Sequence, residues 1–196
     1  MSTRHEVIIN MITELNNCSV GIEVGVACGQ LSEVILNNTN LNKLYCIDPW
    51  KVFPKDFYID AMNDKNTQND WDNCYQSVVN NLKGKFNNRV SVLRGISEDF
   101  INTFEDNSLD FVYIDGNHNY HAVLNDIELW YPKIKTNGIL IGDDACDDGY
   151  HIWSYKEDGS PNWYGEYGVK RALETYTKKN ELNYEILPYG QWRIRK

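Results

Sequence analysis

The sequence is short of basic charge: 19 lysines and arginines stand against 28 aspartates and glutamates, for a formal net charge of −9. A nucleic-acid binder needs lysine and arginine to replace condensed counterions, and the only basic cluster here is the closing Arg193-Ile194-Arg195-Lys196. Nucleic acid is therefore disfavoured as a partner. No apolar run approaches the roughly 18 residues of a membrane span, so no membrane association is expected. The amino terminus, MSTRHEVIINMITELNN, lacks the compact apolar core and small-residue cleavage site of a secretory signal. It reads as part of the fold, and the expected location is cytoplasmic. Cysteines 18, 28, 46, 74 and 146 are odd in number and form no C-x-x-C pair, which argues against a disulfide framework and against zinc. With neither repeat nor linker, the 196 residues are expected to form one domain, 1–196.

What is present is an alternation of short apolar runs with helical patterns. Thr3-Arg4-His5-Glu6 has the capping-box pattern, and Val7, Ile8, Met11, Ile12 and Leu15 follow on one face, which predicts an amino-terminal helix within residues 1–18. The runs VGIEVGV, KLYCID, RVSVLRG, LDFVYID and GILIGDD then alternate with helices, including one from about Tyr120 to Tyr131 stopped by Pro132 and one near Val169 to Lys179. Continuous apolar strands separated by helices imply a mostly parallel sheet covered on both faces. The last two runs, NYEILP and QWRIRK, are joined by the short Tyr189-Gly190 turn and read as an antiparallel hairpin. The expected fold is α/β, a Rossmann-like doubly wound sheet of seven strands, mostly parallel, with that hairpin at its carboxyl end.

In such a sheet, ligands bind beyond the carboxyl ends of the strands. GIEVGVACGQL places Glu23, Gly25, Ala27 and Gly29 between the first strand and the next helix, where glycines and free N–H groups suit a cofactor. The spacing E-x-G-x-x-x-G departs from the dinucleotide pattern G-x-G-x-x-G. Asp48 closes the second strand about 20 residues past the first glycine, the position from which a carboxylate grips ribose hydroxyls. Removing it should then weaken the cofactor and leave the unliganded fold unchanged; the alternative is a turn cap. Ser97, after Arg94-Gly95, lies where an adenine would reach and equally suits an N-cap. The fourth and fifth strands deliver Asp115, Asp143 and Asp144. Three carboxylates brought together resist burial unless a cation joins them, and hard oxygen donors suit magnesium, manganese or calcium. Asp147 and Asp148 are the second choice as ligands.

His118, three residues past Asp115, is placed to take a proton from a hydroxyl, or to hydrogen-bond its own loop. The segment 145–167 carries His151 and six tyrosines and tryptophans, and reads as a flap over a substrate or as a homodimer contact.

The stretch VYIDGNHNYHAVLNDIELWYPKIKTNGILIGDD, with the E-x-G-x-x-x-G loop, IDPW, RGISEDF, GVKRAL and WRIRK, resembles class I S-adenosylmethionine-dependent methyltransferases. The likeness is to the branch of macrocin O-methyltransferase and cephalosporin-hydroxylase-like proteins, over roughly residues 20 to 196. It implies S-adenosylmethionine as cofactor, bound by Glu23, Gly25, Ala27, Gly29, Asp48, Ser97 and Asp115. It also implies a divalent ion, magnesium by preference, on Asp115, Asp143 and Asp144, with His118 and Asp115 catalytic and a small-molecule hydroxyl, on a sugar or glycosylated metabolite, as acceptor. Family members often carry Gly-His-Asp where this chain has Gly142-Asp143-Asp144. Rival readings are a cofactor-binding module without catalysis and a nicotinamide-dependent reductase; the latter lacks its third glycine and its Tyr-x-x-x-Lys pair here.

Overall fold

The computed structural model describes residues 3–54, 67–145 and 168–196. Helix α1 (Arg4–Thr13) starts on the capping box anticipated above: Glu6 N–H donates to Thr3 Oγ1 at 3.2 Å and Thr3 N–H donates to Glu6 Oε2 at 2.8 Å. Then come β1 (Val20–Val24), α2 (Gln30–Asn38) and β2 (Lys43–Asp48). Helix α3 (Gln68–Phe86) leads into β3 (Val90–Arg94), and a 3₁₀ segment (Ser97–Thr103) precedes β4 (Leu109–Ile114). Helix α4 (Tyr120–Trp130) ends just before Pro132, followed by β5 (Ile134–Gly142), α5 (Val169–Lys179), β6 (Glu185–Ile186) and β7 (Trp192–Arg195).

The seven strands form one sheet in the order β3-β2-β1-β4-β5-β7-β6. Strands β1 to β5 are parallel, whereas β7 runs antiparallel to both β5 and β6. This is the doubly wound sheet with a terminal hairpin that the alternating runs predict. Period-2 alternation assigns each strand residue to a face. Phe111, Tyr113, Ile139 and Ile141 join the core under α1, α2 and α3, while Val112, Ile114 and Leu140 join the core under α4 and α5. Both faces are buried over Phe111–Ile114 of β4 and Gly138–Gly142 of β5, which is why those stretches read as unbroken apolar runs.

The sheet order reverses between β1 and β4. Register there pairs Val24 with Ile114, and Ile114 with Gly142 on β5. Gly25, Asp115 and Asp143 therefore leave the sheet at one level. The loop from 145 to 167, expected to be a flap, and its His151 and aromatic residues lie outside the described residues apart from Ala145, as do Asp147 and Asp148.

Candidate active site

A cleft of about 660 Å³ opens at this reversal, lined by Gly25, Asp48, Ile96, Ser97, Asn117 and Asp126 among others. Such a crevice is where doubly wound sheets hold nucleotides. Its walls combine apolar side chains, Ile47, Phe53 and Ile96, with carboxyl and hydroxyl groups, a donor and acceptor set that fits a nucleoside.

The glycine loop is built by close approach. A Cβ on Gly25, whose φ is 87°, would lie 1.9 Å from the Asp115 carbonyl oxygen. The absent side chain thus lets β1 and β4 converge, and the same bare backbone borders the cleft. Gly29, with φ 76°, caps α2, and Ala27 between them also takes a positive φ of 46°. Ala27 and Gly29 do not line the cleft, and neither does Glu23. Glu23 is buried, accepts from Ser32 Oγ of α2 at 2.5 Å, and is pushed up to about 8 by loss of solvent.

Asp48 lines the cleft as predicted, but its carboxylate is turned back into the protein. Oδ2 accepts from the N–H groups of Val26 (3.0 Å) and Ala27 (2.9 Å), and Oδ1 accepts from Trp50 N–H at 2.7 Å. These bonds favour the cap alternative, in which loss of Asp48 also weakens the unliganded fold. Ser97 is in the cleft wall, and its hydroxyl donates to Asp126 rather than capping a helix. Asp126, on α4, was not singled out from sequence. It is buried, pushed up to about 7 by desolvation, with Glu98 acting in the same direction, and it faces the cleft. Its signal was present as the one acid on the inward side of the α4 pattern.

Beside the cleft lies an acidic cluster whose membership differs from the predicted one. His118 Nε2 is 3.2 Å from Asp115 Oδ1 and 3.4 Å from Asp144 Oδ2. One ligand atom from each of Asp115, His118 and Asp144 falls within a 4.8 Å span, a set able to hold a metal ion. Asp143, expected as the third ligand, is not in it. Its side chain points to the other side, where Oδ1 accepts from the Gln191 side-chain amide and from Asp144 N–H (2.8 Å). Its Oδ2 pairs with Arg4.

Arg4 explains how these acids tolerate one another. From the first turn of α1 its guanidinium reaches Asp115 Oδ2 at 2.5 Å, Asp143, and the Tyr113 hydroxyl at 3.2 Å. Tyr113 in turn donates to Gln191 Oε1 at 3.0 Å. The chain itself thus places one cation between Asp115 and Asp143. Desolvation pushes Asp115 up, yet His118 and Arg4 outweigh it and hold the carboxyl below its ordinary value. Asp143 goes the other way, to about 7: desolvation and the neighbouring Asp115 and Asp144 outweigh Arg4. Arg4, Tyr113 and Gln191 had no motif to announce them, since a lone arginine in a capping box looks like any other.

A doubly wound sheet in this strand order, with a glycine loop and a cleft at the reversal, is the architecture of class I S-adenosylmethionine-dependent methyltransferases. The profile of the family described as "Methyltransferase domain" matches residues 22–145, and the chain belongs to that family. Similar solved structures include an O-methyltransferase from Bacillus cereus in complex with SAH, with a TM-score of 0.65, 13% identity, and coverage of 100% of this chain and 82% of that one. Another is the O-methyltransferase TomG from Streptomyces achromogenes, involved in tomaymycin synthesis and bound to SAM, with a TM-score of 0.66, 14% identity, and coverage of 100% and 80%. At these identities the likeness is one of fold. Among curated proteins, the uncharacterised protein R132 of Acanthamoeba polyphaga mimivirus is 28% identical over 133 residues, 68% of this chain and 53% of its own length. The uncharacterised protein y4gI of Sinorhizobium fredii is 32% identical over 66 residues, 33% of this chain and 7% of its own length. The chain thus spans about half of the one relative and a small part of the other. Among the described residues no helix is long and apolar enough to cross a membrane.

Proposed function

We propose that this methyltransferase acts on a hydroxyl of a small molecule, such as a sugar or a glycosylated metabolite. The observation that carries this reading is the contact of His118 Nε2 with both Asp115 and Asp144 beside the cleft. S-adenosylmethionine supplies an already activated methyl group, so the protein's task is to align an acceptor oxygen and receive its proton. Asp115, held ionised by Arg4 and His118, accepts from Nε2–H and so orients the imidazole, and His118 takes the acceptor's proton at Nδ1. The cofactor is held by the glycine loop around Gly25, by Ser97 and Asp126, and by the accessible edge of Asp48. The structures of the B. cereus and S. achromogenes enzymes, described as O-methyltransferases, support the choice of oxygen as acceptor atom.

The same cluster favours a second reading. Two carboxylates and an imidazole fit manganese or magnesium. A divalent ion there would be held by Asp115, His118 and Asp144 and would supply positive charge that makes a nearby hydroxyl more acidic. His118 would then be a ligand and not the base.

The test is transfer of a labelled methyl group from S-adenosylmethionine to a panel of hydroxylated acceptors. His118→Ala should lower turnover by about 10²–10⁴-fold while leaving S-adenosylhomocysteine binding in place. Binding without turnover on any acceptor would favour the non-catalytic module, and a response to a nicotinamide dinucleotide alone would favour a reductase.

A further inference from the structure

Two cysteines that no reading of the site uses are in contact. Cys28, in the loop between Gly25 and Gly29, has its Sγ 3.3 Å from Sγ of Cys74 on α3. The residues are 46 positions apart, so the fold alone brings them together. Cys28 is exposed and Cys74 half-buried. Cys74 Sγ also lies 3.3 Å from the Ala27 carbonyl oxygen, within the same loop. Both cysteines line a surface pocket walled also by Asp70, Trp71, Asn73 and Ser77.

We infer that Cys28 and Cys74 form a thiol–disulfide exchange site that takes a small disulfide of the glutathione type and becomes an intramolecular disulfide tying the cofactor loop to α3. This goes against the expectation from cysteine count and spacing, which cannot register a contact between distant elements. The chemistry balances in two steps. The Cys28 thiolate attacks one sulfur of glutathione disulfide, breaking its S–S bond and expelling one glutathione thiolate. The Cys74 thiolate then attacks the Cys28 sulfur of the mixed disulfide and expels the second. The protein loses two electrons and two protons, and one glutathione disulfide becomes two thiols.

Geometry and exposure set this order. Cys28 is the accessible thiol, and the pocket gives the incoming disulfide room beside it. Burial pushes the Cys74 thiol up to about 12, with Cys28 itself adding to the rise. Closing from contact to a bonded distance needs only about 1.3 Å of sulfur movement. The bond would fix the loop whose Val26 and Ala27 N–H groups rest on Asp48, and through it one border of the cofactor cleft.

The experiment is equilibration of the reduced full chain in glutathione buffers of increasing disulfide content, followed by acid quench, intact mass and peptide mapping. The expected result is a loss of about 2 Da, two hydrogens, mapping to a Cys28–Cys74 bond that dithiothreitol reverses. The oxidised chain should melt roughly 4–16 °C above the reduced one, as a cross-link closing a loop of this length implies. Cys74→Ser should instead retain glutathione on Cys28, and Cys28→Ser should give neither adduct nor cross-link. The proposal is overturned if the parent chain keeps a stable glutathione adduct on Cys28, if the bond maps to other cysteines, or if no mass change occurs in glutathione disulfide alone.

Discussion

Asp48 accepts three backbone N–H bonds within 3.0 Å, from Val26, Ala27 and Trp50. A carboxylate so occupied retains lone-pair capacity for a ribose hydroxyl, but its first effect is to pin the glycine loop to the end of β2. Orphaning buried donors costs about 1–3 kcal/mol each where water cannot replace the acceptor, so Asp48→Ala should destabilise the unliganded chain by about 2–4 kcal/mol. That corresponds to roughly 4–16 °C in melting temperature for a chain of this size. A variant that melts with the parent, yet binds S-adenosylhomocysteine weakly, would return Asp48 to the purely ligand-facing role inferred from IDPW. The motif located this residue correctly at a strand end beside the loop. It could not say which way the carboxylate turns, because that depends on N–H groups 21 and 22 positions away in the chain. Asp143 and Asp144 show the same limit. Adjacent acids at the end of β5 must diverge, and only the placement of Arg4 and Gln191 decides that Asp143 leaves the cluster while Asp144 stays.

At the scale of elements the sequence was far more informative. Helices α4 and α5 fall within a residue or so of where periodicity and Pro132 placed them, because each buries one apolar stripe against a sheet face. The capping box of α1 formed as read, and the apolar stretches FVYI of β4 and GILIG of β5 announced burial on both faces. What the pattern could not reveal is that α1 also carries a functional side chain, since Arg4 lies off the apolar stripe that defines the helix. The glycine loop sits between these cases. Its two glycines looked equivalent, but Gly25 faces the Asp115 carbonyl oxygen at 1.9 Å from a hypothetical Cβ, whereas Gly29 would meet side-chain atoms alone, of Val78 at 3.4 Å and Leu82 at 3.7 Å. Gly29→Ala should therefore cost about 1–2 kcal/mol, the penalty of a left-handed conformation. Gly25→Ala adds a backbone clash that must separate β1 from β4, and should cost well above about 3 kcal/mol or prevent folding. Chemical denaturation of the two variants checks the ordering. Equal losses would mean that β1 and β4 can part freely at this end.

Across the whole molecule, the net charge of −9 is unevenly resolved. Among the described residues most acids face solvent, but Asp115, Asp143 and Asp144 gather at the carboxyl edge of the sheet, where like charges are costly to bury. Arg4 neutralises the first two from an element more than a hundred residues distant, leaving Asp115, His118 and Asp144 on its far side. The arginine and a divalent ion would thus draw on one carboxylate, Asp115, from opposite oxygens. Removing one partner of a buried ion pair costs about 3–5 kcal/mol, but the Arg4 side chain is 42% exposed, and solvent screening reduces the expected loss to about 1–2 kcal/mol. Arg4→Ala should accordingly melt roughly 2–8 °C below the parent in the presence of a chelator. Without its guanidinium, Asp115 has more negative charge to offer a cation held with His118 and Asp144, so millimolar manganese or magnesium should restore more of the melting temperature in Arg4→Ala than it adds to the parent. Potassium chloride at matched ionic strength should not reproduce the recovery, because screening acts on exposed charges far more than on partly buried ones. Asp115→Asn placed on the Arg4→Ala background should abolish the recovery, whereas Asp143→Asn should preserve it, since Asp143 lies outside the metal-compatible set. If neither chain responds to divalent ions, the guanidinium is the cation of this site, and proton removal rests on His118 steered by Asp115.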